Sequence, residues 1–342
     1  GTLTVTATAR DPQGNSQGVT DTVDKDTVPP KFTIAVDAIT GDDVISAAEA
    51  GGKVSITGTV TGEFTPGDRV VVTDLMGSNA LVSTLDANGH FSIEVPGQDF
   101  VTSAQGQQRV GMPPEIHVVV VAHDLAGNQA MGRLTHGFTV DTNAPAVSVH
   151  GVASTNDNTP DITGTTDDPN ATIEVTVGGH TYTATNNGDG TWTLPGSQLA
   201  GPIPDGLSNP ISVTATDAAG NQAVASATAA IDTAVSAPTL ALTNDTGTAG
   251  DLITSDGSLT IGGQETGASI EYSTDGGQSW STSFTPQPGA NTVQVRQTDA
   301  AGNVSASSAA LTFTLDSAAS APTVALTTDS GTSTTDTVTN VG

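Results

Sequence analysis

Apolar and polar residues alternate in short runs along most of the chain, the period expected of half-buried β-strands. Between residues 146 and 232 the runs AVSVH, DITGT, TIEVTVG, HTYTATN, TWTLP, ISVTATD and AVASATAAID are separated by turn-forming stretches such as TNDNTP and NNGDG. This predicts seven short strands, the count of a two-sheet immunoglobulin-like sandwich. No apolar run is long enough to predict a membrane-crossing helix, and no basic-then-apolar leader is present.

The pattern repeats. RDPQGN at 10–15, HDLAGN at 123–128 and TDAAGN at 216–221 and 298–303 share an Asp first and Gly-Asn last. Each is followed by a strand-like stretch and then by a second Asp in KDTVPP (Asp26), VDTNAP (Asp141), IDTAVSAP (Asp232) or LDSAASAP (Asp316). Proline in these linkers stops sheet pairing. Fixed-order recurrence of this kind predicts tandem modules: the end of one over residues 1–28, complete modules at 29–143, 144–234 and 235–318, and the start of another at 319–342. The chain is therefore expected to be a piece of something longer. DANGHF, NGDGTW and DGGQSW place Phe91, Trp192 and Trp280 at equivalent points, where an aromatic anchors the core between two sheets; the competing role is a sugar platform. The 29–143 module departs most, with a longer opening and an expected loop around 97–114.

Charge and cysteine content narrow the chemistry. Lys and Arg number 8 against 36 Asp and Glu, a net charge of −28, which argues against nucleic acid because phosphate binding needs basic residues. With no cysteine, neither disulfides nor thiolate metal sites hold the modules together.

TVDTNAP, DNTPDITGTT, GDGTWTL and VTATDAAGNQA resemble the bacterial Ig-like repeats of giant, type I-secreted, calcium-dependent adhesins of Gram-negative bacteria. The resemblance runs through the three complete modules and both remnants. It implies an all-β fold of tandem immunoglobulin-like β-sandwich modules in a linear, monomeric rod, with no enzymatic activity and no membrane insertion. It also implies a secreted or cell-surface location, stiffening by Ca2+, a role in virulence, and presentation of a region that binds a host-cell glycan or receptor.

Strand parity gives the acidic residues a reason to gather. In a seven-stranded antiparallel module the turn between the last two strands lies at the entrance, beside the preceding linker, and the turn after the first strand lies at the exit. The first junction then joins Asp26 and Asp124, with Asn128 close by. The second joins Asp42, Asp43, Asp141 and Asp217, with Asn221 close by. Asp157, Asp232 and Asp299 meet at the third, and Asp251, Asp256 and Asp316 at the fourth. Calcium suits such a site because it takes six to eight oxygen ligands at tolerant geometry. Two carboxylates 4 Å apart repel by about 1 kcal/mol in water and about 4 kcal/mol at an effective dielectric near 20, so a cation stiffens what would otherwise splay. A turn-former's role competes at every one of these positions, since Asp and Asn bond nearby backbone and tolerate left-handed conformations.

GNSQG at 14–18 matches a nucleophile-elbow pattern, but the equivalent turns read GNQAM, GNQAV and GNVSA and no helix follows, so the pattern does not support catalysis. Two other readings stand beside the adhesin: glycan-binding modules, favoured by an exposed Tyr182 or Trp280, and accessory domains of a secreted hydrolase.

Overall fold

The computed structural model describes residues 1–75 and 80–324; most of the expected final remnant, residues 325–342, lies outside them. The chain forms two compact units, residues 1–150 with 161–200 and 211–227, and residues 151–160 with 201–210 and 228 onward. Both are built almost wholly of strands, and the fold is all-β with immunoglobulin-like sandwiches.

The first unit opens with an antiparallel hairpin, β1 (Thr2–Arg10) and β2 (Ser16–Asp24), exposed along both strands. A first sandwiched region follows, made of β3 (Phe32–Val36), β4 (Val44–Ile45), the short helix α1 (Ala47–Ala50), β5 (Lys53–Gly62), β6 (Arg69–Thr73), β7 (Leu81–Thr84), β8 (His90–Pro96), helix α2 (Gly97–Arg109), β9 (Glu115–His123), β10 (Gln129–Gly137) and β11 (Thr139–Val140). Its sheets have the orders β3-β5-β8 and β10-β9-β6-β7, while β11 pairs in parallel with β4. Alternation does what the sequence predicts: Ile116, Val118, Val120 and Ala122 of β9 are buried while the residues between them are half-buried.

The expected loop at 97–114 is largely a helix. Phe100, Ser103 and Ala104 of α2 fall on one face and are buried, with Phe100 meeting Phe138 edge to face, ring centroids 5.2 Å apart. Gly97 permits this docking, since a Cβ there would lie 1.9 Å from the Glu49 carbonyl oxygen at α1.

The first unit also carries β12 (Val147–Val149), while β13 (Val152–Thr155) belongs to the second unit and runs parallel to residues 229–231. The remaining strands of this region are β14 (Ile162–Thr166), β15 (Thr172–Val177), β16 (His180–Asn186), β17 (Thr191–Leu194), β18 (Gly206–Thr216) and β19 (Gln222–Ile231). All seven predicted strands between 146 and 232 are present, and β13 is an eighth. Trp192 on β17 is fully buried. Its ring lies against Gly164 of β14, where a Cβ would be 2.5 Å away, and its indole N–H donates to the Ser148 carbonyl at 3.0 Å. Phe91 holds the same place against Gly58, with an equally close 2.5 Å approach.

In the second unit, β20 (Thr239–Leu242), β21 (Ile253–Thr254), β22 (Leu259–Gly262), β23 (Ser269–Ser273), β24 (Gly289–Thr298) and β25 (Leu311–Leu315) form a two-stranded sheet, β20-β22, and a four-stranded one, β21-β25-β24-β23. Between residues 239 and 315, Val293, Val295 and Phe313 are the large apolar side chains buried among the described residues. Gln297 is buried beside them. Its side chain accepts from the Glu265 amide and donates to the Ser236 and Gly263 carbonyls, so the amide is satisfied.

Trp280 does not repeat the placement of Trp192. It is half-buried, with the Arg296 guanidinium 4.4 Å above its ring. The reason lies in β22. Gly58 and Gly164 each follow the residue whose carbonyl accepts the amide just beyond the opening strand, Thr57 from Asp37 and Thr163 from His150. In the third case Ser258 accepts from Thr243, and the next residue is Leu259. Leu259 therefore stands at the position over which a ring lies in the other two regions.

Candidate metal centres at the linkers

Each Asp-x-x-x-Asn turn closes on itself. The Asp carboxylate accepts the Asn backbone N–H with one oxygen and the Asn side-chain N–H with the other, at 2.8–2.9 Å for Asp11, Asp124, Asp217 and Asp299 alike. The Gly before each Asn has φ between 84° and 97°, a left-handed conformation that glycine adopts without strain. Bonds from the Asn side chain hold the Asp11, Asp124 and Asp299 carboxyls below the usual carboxylate range. For Asp217 burial pushes the other way, and the bonds from Asn221 outweigh it. The turn-forming role is therefore real, and it leaves each carboxylate charged.

The Asn also reaches beyond its own turn. Asn221 donates to the Asp141 carbonyl at 3.0 Å and accepts the Ala47 amide at 2.7 Å, while Asn303 donates to the Asp232 carbonyl at 2.7 Å. Turn and linker are thus clasped through the second member of the motif. The linker Asp residues have a common local form: Asp26, Asp141, Asp232 and Asp316 each accept the amide two residues ahead. The backbone N–H groups of Asp141, Asp232 and Asp316 bond to Ile45, Thr155 and Thr254, fixing where each linker begins.

A third carboxylate, missed in the sequence, bonds the backbone just past three of the linkers. Glu63, Asp167 and Glu265 each accept the amide of a residue a few positions past a linker Asp, namely Lys31, Ala146 and Ser236. At one linker the grouping is tight: oxygens of Asp232, Glu265 and Asp299 lie within 4.8 Å of one another, and all three residues are half-buried. At another, Asp26, Glu63 and Asp124 line one cleft of about 590 Å³ together with Asp24. The signal available in the sequence was an acidic residue in TGEF, TTDD and GQET, stretches too different to read as a repeat.

The acidic residues expected from the turn after the first strand serve their own backbone. Asp42, Asp157, Asp251 and Asp256 accept amides two residues ahead. Asp43 accepts the Ile39 amide and faces His136 Nε2 at 2.7 Å. Among the described residues neither these five nor Asp26, Asp124, Asp141, Asp217 and Asp316 belong to a compact grouping like that of Asp232, Glu265 and Asp299.

Residues 150–233 match the family described as the bacterial Ig-like domain. No curated protein matches the chain. Among solved structures, the chain is similar to a Ca2+-stabilized adhesin with which an Antarctic bacterium binds ice, at 27% identity over 92% of this chain and 82% of that one, TM-score 0.47. It is similar to a 1.5-MDa bacterial ice-binding adhesin at 23% identity, over 84% of this chain and 98% of that one, TM-score 0.41. A bacterial immunoglobulin-like domain of the M. primoryensis ice-binding adhesin matches at 36% identity over 32% of this chain and 96% of its own length, TM-score 0.27.

Proposed function

From the match of residues 150–233 to the bacterial Ig-like domain, we propose that the chain is a non-enzymatic extending segment of a bacterial surface adhesin, with modules at 29–143, 144–234 and 235–318 between two partial ones. It works outside the cell, carrying a host-cell or other surface-binding region away from the bacterium, and calcium stiffens its linkers. The recurring linker and turn motifs support the adhesin part. The observation that carries the calcium part is the trio Asp232, Glu265 and Asp299, drawn from a linker, a strand-end loop and an Asp-x-x-x-Asn turn.

The donor set fits a hard cation: three carboxylates and no sulfur. Calcium tolerates such irregular oxygen sets, whereas magnesium demands near-octahedral geometry and sheds water reluctantly. Asp232, Glu265 and Asp299 would hold one ion, with Asp26, Glu63 and Asp124, and Asp141, Asp167 and Asp217, in the corresponding roles elsewhere. A bound ion supplies charge neutralisation that ties linker and turn together.

Calorimetric titration of the chelator-treated chain with calcium tests this. Glu265→Gln is expected to weaken one class of site by about tenfold or more, and Asp157→Asn to leave every site intact. Absence of calcium binding, or equal binding of magnesium, would sink the proposal.

A further inference from the structure

The two-stranded sheet β20-β22 is one strand short of its counterparts. β5 is flanked by β3 and β8, and β14 by β12 and β17, whereas β22 pairs with β20 alone among the described residues. Backbone direction along the edge follows from the ladder. Ser258 bonds toward β20 through the Thr243 amide, and antiparallel alternation then turns the N–H and C=O groups of Leu259 and Ile261 outward. The counterparts of the Ile261 amide are occupied: Val60 donates to the Gly89 carbonyl at 2.8 Å and Thr166 to the Gly190 carbonyl at 3.1 Å.

Among the described residues none closes this edge. Residues 283–287 pass it without pairing, and Pro286 packs on Gly257, where a Cβ would be 2.6 Å from the proline ring. What remains is a cleft of about 450 Å³ beginning at Leu259, walled by Tyr272, Phe284 and Leu315, with Asp256 at its rim. Tyr272 and Phe284 stack at 6.0 Å. Exposed edges are ordinarily blunted with charge or proline, and Leu259–Gly262 has neither.

We propose that β22 is a docking edge for an extended peptide strand of a partner protein, added antiparallel through the backbone groups of Leu259 and Ile261. The siblings identify the chemistry that suits the slot. It is filled there by FSIEV, with Phe91, Ile93 and Val95 buried, and by TWTL, with Trp192 and Leu194 buried. The guest therefore has apolar residues at alternate positions facing Tyr272, Phe284 and Leu315. Leu259 excludes a large ring opposite it, so branched aliphatic residues fit better than Trp. The net charge of −28 opposes a second copy of this chain and selects a strand with basic flanks, complementary to Asp256.

The probe is a synthetic peptide of about ten residues with alternating Val and Thr and a Lys at each end. Amide hydrogen exchange of the whole chain is followed with and without it. The expected result is exchange at Ile261 slowed by about tenfold or more on adding the peptide, with no slowing when its outward amides are N-methylated. The N-methylated peptide keeps the test independent of any folding defect in a variant. The proposal is overturned if Ile261 is already protected in the free chain, if both peptides act equally, or if neither acts. It is also overturned if chitopentaose occupies the cleft while the peptides do not, which would make the cleft a saccharide site.

Discussion

The regions 32–140 and 239–315 start from the same plan and end with different interiors. The first buries a continuous set of Val, Ile, Leu and Phe side chains between two sheets and adds a helix through Phe100. The second buries Val293, Val295 and Phe313 around a hydrogen-bonded Gln297 and leaves β22 with one neighbour. One position separates them most clearly. Where glycine sits, an aromatic ring lies over the strand and brings its own strand into the sheet. With leucine in that place the ring is half-buried elsewhere, and among the described residues no second strand pairs with β22.

The largest expected effect comes from reversing this choice in the region that has the ring. Gly164→Leu puts a Cβ 2.0 Å from the Ser148 carbonyl and 2.5 Å from Trp192, and it should cost about 4 kcal/mol or more, read by denaturant unfolding. A cost below about 1 kcal/mol would break the comparison. Next, Trp192→Ala should cost about 3–5 kcal/mol, whereas Trp280→Ala should lose a cation–π contact, the indole hydrogen bond to the Gly277 carbonyl and part of its burial, about 1–2 kcal/mol. Equal costs in the two variants would show that Trp280 is a core residue after all. Smaller again is Leu259→Gly, which restores the glycine that the other two regions have at this position. A blue shift in Trp280 fluorescence, measured with Trp192 replaced by Phe, would show the ring moving inward; no shift would mean that Leu259 alone does not keep it out.

The smallest effect should show where the regions agree. Asp124 and Asp299 carry the same turn, and their carboxyls lie below the ordinary value of 3.8, first through the side chain of Asn128 or Asn303. A depressed carboxylate contributes its stability above 3.8 and loses it as pH falls through the lower, folded value. Both turns should therefore hold unchanged from pH 7 to about 5 and weaken together below 3.8, as followed by NMR of the Asn128 and Asn303 amides. Separate titration of the two would show that the regions differ in this turn as well.

Strand positions were legible because alternation and turn residues act locally; DITGT and TIEVTVG could hardly be read otherwise. Helix α2 was not legible. Its sequence GQDFVTSAQGQQR is polar and interrupted by Gly106, and its helix depends on tertiary docking of Phe100 through the close approach at Gly97. The linker and turn carboxylates could be read from recurrence, but Glu63, Asp167 and Glu265 could not. Their positions follow from strand length, which varies between regions. The acidic residues of the turn after the first strand were assigned to metal on parity alone. Parity gives the end of the module but not the direction of a side chain, and each of these residues bonds a nearby amide, as the linker residues Asp26, Asp141, Asp232 and Asp316 also do.

The parallel pairing of β4 with β11 and of β21 with β25 bears on tension. In each case a strand near the start of a region lies alongside the strand that leads into the next linker. When the chain is pulled from its two ends, such a pair slides along its own length, so its hydrogen bonds are loaded together rather than one after another. The clasp of Asn221 on Asp141 and of Asn303 on Asp232 stands at the end of the same load path. A region closed this way resists being drawn apart as a shear-loaded fastener, which must fail as a whole before the region lengthens.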